Sequence, residues 1–209
     1  NGLLKSGEVV LSEDIIKKLK LKKGRKVEIN PIQERESARY IREKVKGIAL
    51  SREKIHSIIS DIVENKLTES EVAYFVAAVY INRMTMQETE YLIDAIVKTG
   101  KKLKINNGII ADKHSIGGVA GNRTTPIVVS ICAAAGLTIP KTSSRAITSA
   151  AGTADVIETI TKVEFSSSEI KRLIKRAGAC LVWGGALGLA PADDKIIQVE
   201  RILGLDPEA

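Results

Sequence analysis

The sequence predicts an α/β protein: a small helical bundle followed by an α/β domain with a mixed sheet, with part of a small β-barrel in front. Three observations carry that prediction. Apolar residues recur at helical spacing between about Ile32 and Gly100, short apolar runs alternate with helical stretches after Gly108, and residues 7–30 read strand, helix, strand. Alternating strands and helices with short connections point to an α/β layer. The domains expected are a partial barrel at 1–31, a helical domain at 32–107 with 192–209 packing back on it, and an incomplete phosphate- and nucleotide-binding α/β domain at 108–191. The chain opens at Asn1 and stops at Pro207-Glu208-Ala209, so it is expected to be a piece of something longer, short at both ends.

The first element is the apolar run Glu8 to Leu11. Ser12 can cap a helix through Leu19, and Gly24 precedes the alternating Lys26-Val27-Glu28-Ile29. Two strands and a helix cannot close a core, so this piece reads as half of a barrel. The bundle follows. Ile55, Ile58, Ile59 and Ile62 share one helical face, Val72, Phe75, Val76 and Val79 the next, and Leu92, Ile93 and Ile96 a third. Capping boxes start helices at Thr68 with Glu71, Thr85 with Glu88 and Ser166 with Glu169. Gly100 is the stop signal.

In the α/β part, strands are expected at Ile109 to Ala111, Thr138 to Lys141 and Cys180 to Trp183. Helices are expected from Thr125 to Ala135, near Ala154 to Thr161, in a stretch ending at Gly178, and from Pro191, the last carrying Asp193, Asp194, Lys195 and Arg201.

Composition narrows the function classes. Hydrophobic residues make up 44%, as in a soluble globular protein, and aromatics only 3%, which argues against a single-strand nucleic-acid platform built on stacked rings. A net charge of +7 favours anionic partners without choosing among them. The basic run Lys17, Lys18, Lys20, Lys22, Lys23, Arg25, Lys26 reads as a nucleic-acid patch or, with more weight, as a solvated helix and turn. No nucleic-acid partner is expected. The apolar stretch from Pro126 to Pro140 is too short to span a bilayer. Cys132 and Cys180 are read as buried free thiols, which places the protein in a reducing cytoplasm. Abundant Lys and Glu fit a thermophilic source.

Two loops carry the chemistry. The first runs from Asp112 through Lys113-His114-Ser115-Ile116-Gly117-Gly118 to Thr124-Thr125-Pro126. It offers what a phosphate dianion needs: a fixed cation, hydroxyl donors, glycines that let backbone amides approach, and a following helix start. Its spacing matches neither a nucleotide-triphosphatase loop nor a dinucleotide fingerprint. The second, Thr142 to Thr153, sets five hydroxyls beside Arg145 before Gly152-Thr153 at a helix mouth, and can take a second anion such as a sugar phosphate. No cluster with metal-ligand spacing appears, and catalysis without a metal is expected.

Four ordered motifs, Asp-Lys-His-Ser-x-Gly-Gly-Val at 112–119, Ser-x-Arg at 143–145, Gly-Thr-x-Asp at 152–155 and Leu-Ala-Pro-Ala-Asp at 189–193, resemble the thymidine and pyrimidine-nucleoside phosphorylase family. The forms Ser-Ile-Gly-Gly-Val-Ala-Gly-Asn, Ser-Ser-Arg-Ala-Ile-Thr-Ser and Ala-Asp-Asp resemble its archaeal, AMP-cleaving branch. The resemblance implies phosphorolysis of nucleoside 5′-monophosphates, AMP and phosphate giving adenine and ribose 1,5-bisphosphate. It implies inorganic phosphate as co-substrate, no other cofactor, and a homodimer or larger homo-oligomer. Lys113, Ser115, Thr125 and Thr153 match phosphate contacts. Gly118, the run Ser144, Arg145, Ala146, Ile147, Thr148, Ser149, and Thr153 match nucleotide contacts. Asp206 matches the proton donor, with His114 and the pair Asp193 and Asp194 as rivals for that role.

The family's base-binding Ser and Lys fall beyond Asp206, so the chain as written is expected to be inactive or nearly so. The rival readings are an enzyme like anthranilate phosphoribosyltransferase, a magnesium-dependent family with Gly-Thr-Gly-Gly-Asp in place of the Lys-His-Ser start, and a nucleic-acid-binding protein.

Overall fold

A computed structural model describes residues 7–28, 34–106, 108–114 and 123–205. The chain divides into two compact units, Asn1–Gln33 and Glu34–Ala209.

In the first unit, among the described residues, the one regular element is helix α1 (Glu13–Leu19), whose first turn donates Ile15 N–H to the Ser12 side chain. Among the described residues, the strands expected on either side form no ladder, and none of these residues is buried. A lone strand gains no ladder hydrogen bonds without a partner to pair with. The partial barrel is therefore not seen as strands here.

The second unit begins with four helices, α2 (Glu36–Val45), α3 (Arg52–Val63), α4 (Glu69–Asn82) and α5 (Met86–Thr99). Their apolar stripes meet in one core: Ile55, Ile58, Ile59 and Ile62 are at most 2% exposed, and Val72, Phe75, Val76, Val79 and Leu92 join them. Ile93 departs from the expected stripe and is exposed. The boxes at Thr68 and Thr85 close reciprocally as the spacing predicts, each helix's third residue returning its carboxylate to the cap.

Glu88 does a second job in the core. Its Oε1 accepts from Lys44 Nζ at 2.8 Å and from Leu50 N–H at 2.9 Å, while Oε2 takes Thr85 N–H and the Thr85 hydroxyl. Both charged side chains are at most 3% exposed. Burial works against the Glu88 charge, but Lys44 and the backbone donors of Thr85 and Leu50 outweigh it and hold the carboxyl below its usual range.

α5 ends at Gly100 as expected, and Gly100 is extended, with φ −94° and ψ 163°. Glycine is needed there for lack of space. A Cβ there would lie 1.7 Å from the Leu189 carbonyl oxygen, and the next residue, Lys101, donates its N–H to Gly188 O at 3.0 Å.

Beyond it come α6 (Thr124–Ala134), strand β1 (Ile139–Ser143), α7 (Thr153–Glu158), α8 (Ser167–Ala177), strand β2 (Ala179–Trp183), a 3-10 turn and α9 (Pro191–Leu203). β1 and β2 pair in parallel with Ile139 opposite Ala179 and Ser143 opposite Trp183, and Ile110 adds a parallel bridge to Thr138. A mixed sheet was expected; the described pairing is all parallel, because α7 and α8 form the crossover that returns β2 in the same direction. α6 begins two residues before Pro126, which sits in the first turn where its missing N–H costs nothing. A second core of Ile170, Ile174, Cys180, Val182 and Leu187 holds α8 on β2. Burial pushes the Cys180 thiol up to about 11, whereas Cys132 is half-buried rather than buried.

α9 returns to the bundle. Ala192 and Val199 sit in its core, and Lys195 Nζ donates to Ile62 O, Val63 O and Asn65 Oδ1 at 2.7–2.9 Å, capping the carbonyl end of α3 with a positive charge. Among the described residues, no helix is long and apolar enough to cross a membrane.

Candidate active site

The sheet's carboxyl ends and the bundle enclose a cleft of about 750 Å³. In open α/β layers, loops leaving strand ends face such a cleft. One wall comes from α4, α5 and α9; the α4 and α5 part is largely apolar, while α9 adds Ile196 and Ile197 beside Asp193, Asp194, Gln198, Glu200 and Arg201. Phe75, Val76, Val79 and Leu92 belong to this wall and to the bundle core at once, and the exposed Ile93 lies on it too. The facing wall is polar, made by Thr142 to Thr153 with His114, Arg123 and Thr125.

The first loop brings two predicted phosphate residues together. Lys113 Nζ donates to Thr125 Oγ1 at 2.8 Å across twelve positions, because Thr125 sits buried in the first turn of α6 while Lys113 approaches from the Ile110 bridge. His114 is exposed on the cleft. Ser115 and Gly118 lie outside the described residues, as does Asp206.

The second loop, leaving β1, places Ser144, Thr148, Ser149 and Thr153 on the cleft. Arg145 behaves differently from an anion ligand. Its guanidinium donates to Asp155 Oδ1 at 3.1 Å and Glu164 Oε1 at 3.4 Å, grips both oxygens of Glu158, and lies over the Trp183 ring at 4.8 Å. The hydrogen bonds it donates to Glu158 and then to Asp155 hold it firmly protonated. Asp155 also caps α7 from inside the helix, its Oδ2 accepting Gly152 N–H at 2.9 Å and, across the loop, Ala146 N–H at 2.8 Å. Burial disfavours its charge, but those two N–H groups and Arg145 prevail and hold the carboxyl below its usual value.

Sequence reasoning missed two residues here. Lys141 on β1 lines the cleft with its side chain 11% exposed and its Nζ 3.7 Å from Asp112 Oδ1; the signal was a lysine in the strand that leads into the hydroxyl-rich loop. Asp155 was part of a motif without a role.

Asp194 lines the cleft beside Asp193 on the first turn of α9, and burial raises its carboxyl above the usual value. The folded chain then holds the proton more tightly than the unfolded one, so ionisation costs stability as pH rises through the raised value, and the cost vanishes below the unfolded value of ~4. Asp194→Asn should raise the thermal midpoint at pH 7–8 by roughly a degree or more. At pH 4 and below the gain should disappear; a neutral-pH midpoint that stays put or falls would mean the carboxylate has favourable partners.

Residues 38–100 match the helical bundle domain of a glycosyl transferase family, and residues 107–206 match that family's α/β domain. The chain is 51% identical over 206 residues to the AMP phosphorylase of Pyrococcus furiosus and 50% identical over 206 residues to that of Methanocaldococcus jannaschii. Each match covers 99% of this chain and 41% of the relative, so the chain spans about two fifths of the length of the curated relatives it matches. Among solved structures, anthranilate phosphoribosyltransferase from Thermus thermophilus superposes with a TM-score of 0.68 at 18% identity, covering 80% of this chain and 51% of that one. That likeness is one of fold.

Proposed function

Because the chain belongs to the glycosyl transferase family whose helical-bundle and α/β domain models it matches, we propose that it is the part of a nucleotide phosphorylase that binds phosphate and nucleoside 5′-monophosphate. The reaction is AMP plus phosphate to adenine plus ribose 1,5-bisphosphate. The observation that carries this reading is the pairing of Lys113 with Thr125 on the same cleft as the hydroxyl-rich loop Ser144 to Thr153. That arrangement offers two polar sites for two anions. Relatives about half identical over nearly the whole chain and named AMP phosphorylase support it.

In the reaction a phosphate oxygen bonds to ribose C1′ as the bond from C1′ to the base nitrogen breaks, and an acid delivers a proton to the leaving base. Lys113, Ser115, Thr125 and Thr153 hold the phosphate, their positive charge and hydroxyls keeping the nucleophile in line. Gly118, the run Ser144 to Ser149 and Thr153 hold the nucleotide. As the sugar gains oxocarbenium character, negative charge builds on the base, and Asp206 protonates it, with His114 the alternative donor. Inorganic phosphate is the co-substrate, and no metal or other cofactor takes part. The division into a helical part at 32–107, with 192–209 against it, and an α/β part at 108–191 separates the apolar wall from the anion loops. The protein works in the cytoplasm as a homodimer or larger homo-oligomer.

The test is phosphate-dependent release of adenine and ribose 1,5-bisphosphate from AMP by the full-length protein in the presence of EDTA. Release under those conditions supports phosphorolysis. An absolute need for magnesium with pyrophosphate as product would favour a phosphoribosyltransferase, and no adenine at any phosphate concentration would sink the proposal.

A further inference from the structure

The nucleotide loop is braced at one residue from two directions. Ala146 N–H donates to Asp155 Oδ2 at 2.8 Å, and Ala146 O accepts from Arg201 Nε on α9. The same Asp155 oxygen holds Gly152 N–H at 2.9 Å, so one carboxylate ties the loop near its start to its end. The closure is tight: a Cβ on Gly152 would lie 2.7 Å from both Ala146 N and the Arg145 carbonyl carbon. Arg145, the one cation of the loop, neutralises Asp155 and grips Glu158.

We propose that Asp155 and Arg201 are positioning residues that fix the peptides on either side of Ala146 and so aim Ser144, Thr148 and Ser149 at the nucleotide, and that Arg145 is the counter-ion of this brace. The inference rests on the nucleotide-binding reading given above. A loop whose donors are already in place loses less entropy when an anion arrives, which appears as tighter nucleotide binding. Arg201 matters for a further reason: it stands on the helix that Lys195 and Val199 dock onto the bundle, so the loop's position is referred to the opposite wall of the cleft. Of the residues that hold phosphate, Lys113, Ser115 and Thr125 belong to the first loop, outside this brace, and Thr153 alone adjoins it, next to Gly152, so phosphate binding should change much less than nucleotide binding.

The experiment is steady-state kinetics of the full-length protein with AMP and phosphate varied separately, for Asp155→Asn, Arg201→Ala and Arg201→Lys, with thermal midpoints measured alongside. Asp155→Asn should raise KM for AMP roughly tenfold or more, as loss of a charge-assisted contact does, and leave KM for phosphate within about twofold. Arg201→Ala removes an exposed side chain that contributes no core packing, so it should fold normally and raise KM for AMP by roughly three- to tenfold. Arg201→Lys, which keeps the charge, should lie between it and wild type. A merely structural role would lower the midpoint and disturb both substrates alike. Wild-type turnover with KM for AMP unchanged in Asp155→Asn and Arg201→Ala, or with both KM values rising together, overturns this inference alone. No phosphate-dependent turnover in the wild type overturns the functional reading and this inference with it.

Discussion

Replacing Lys113 by alanine should cut kcat/KM for phosphate-dependent adenine release by about 10²–10³-fold, the loss typical of a single preorganised electrostatic contact in a water-poor site. The ammonium does two things there. It supplies the fixed charge that a dianion seeks, and by donating to Thr125 Oγ1 at 2.8 Å it occupies a lone pair of that hydroxyl, aiming the hydroxyl proton away from the lysine. Thr125→Val keeps the shape of a buried side chain but removes the donor, and should cost less, about tenfold. The measurement is initial rate against phosphate at saturating AMP, with circular dichroism to show that the variants fold. If the role is catalytic, the wild-type rate will depend only weakly on salt between 50 and 200 mM, as the contact is local and partly buried. Wild-type rates in a folded Lys113→Ala protein would remove the first loop from the mechanism.

Lys44→Met should be the most damaging single change to the bundle. Its methylenes are replaced, but Glu88 keeps a charge in the core without the opposing ammonium, a loss of about 3–5 kcal/mol when one partner of a buried pair is removed. For a chain of this size that corresponds to a fall in thermal midpoint of roughly 6–20 °C. The sign of its pH dependence is a second check. In the wild type the Glu88 carboxyl lies below its usual value, so its contribution is full above the unfolded value of ~4.3 and is lost as pH falls through the folded one. Without Lys44 the burial cost prevails, the carboxyl rises, and mild acidification should restore part of the loss. Glu88→Gln added to Lys44→Met should also recover part, because a neutral amide can still accept from Leu50 N–H or Thr85 N–H. A midpoint within a few degrees of wild type would show that the pair carries little of the bundle's stability.

Much of this architecture was legible in the sequence because it is written in local chemistry. The three capping boxes, the isoleucine stripe of α3 and the proline at the start of α9 depend on residues three or four positions apart, and each appears where the spacing places it. That Lys113 and Thr125 belong to one polar cluster was legible too, since a lysine and hydroxyl residues flank the same glycine-rich loop, and the fold joins the two at 2.8 Å. What escaped depends on distant parts of the chain. Arg145 sits among hydroxyls in the sequence, but its carboxylate partners are 10, 13 and 19 residues downstream and are delivered by α7 and the stretch beyond it. Gly100 was legible as a helix stop, but the reason for a glycine there was not: the fold needs an empty Cβ against the distant Leu189 carbonyl. The strands expected around α1 show the converse limit, as their alternation is present while no partner pairs with them among the described residues.

The apolar wall of the cleft is the bundle core seen from its other side, Phe75, Val76, Val79 and Leu92 serving both. A lineage diversifying its substrates therefore meets two very different kinds of ground. Substitutions on that wall are filtered first by whether the chain still folds, since truncating such a side chain typically costs about 2–5 kcal/mol out of a total of roughly 5–15. The hydroxyl loop across the cleft contributes little to either core, so it is the surface on which selection, or a protein engineer, has room to work.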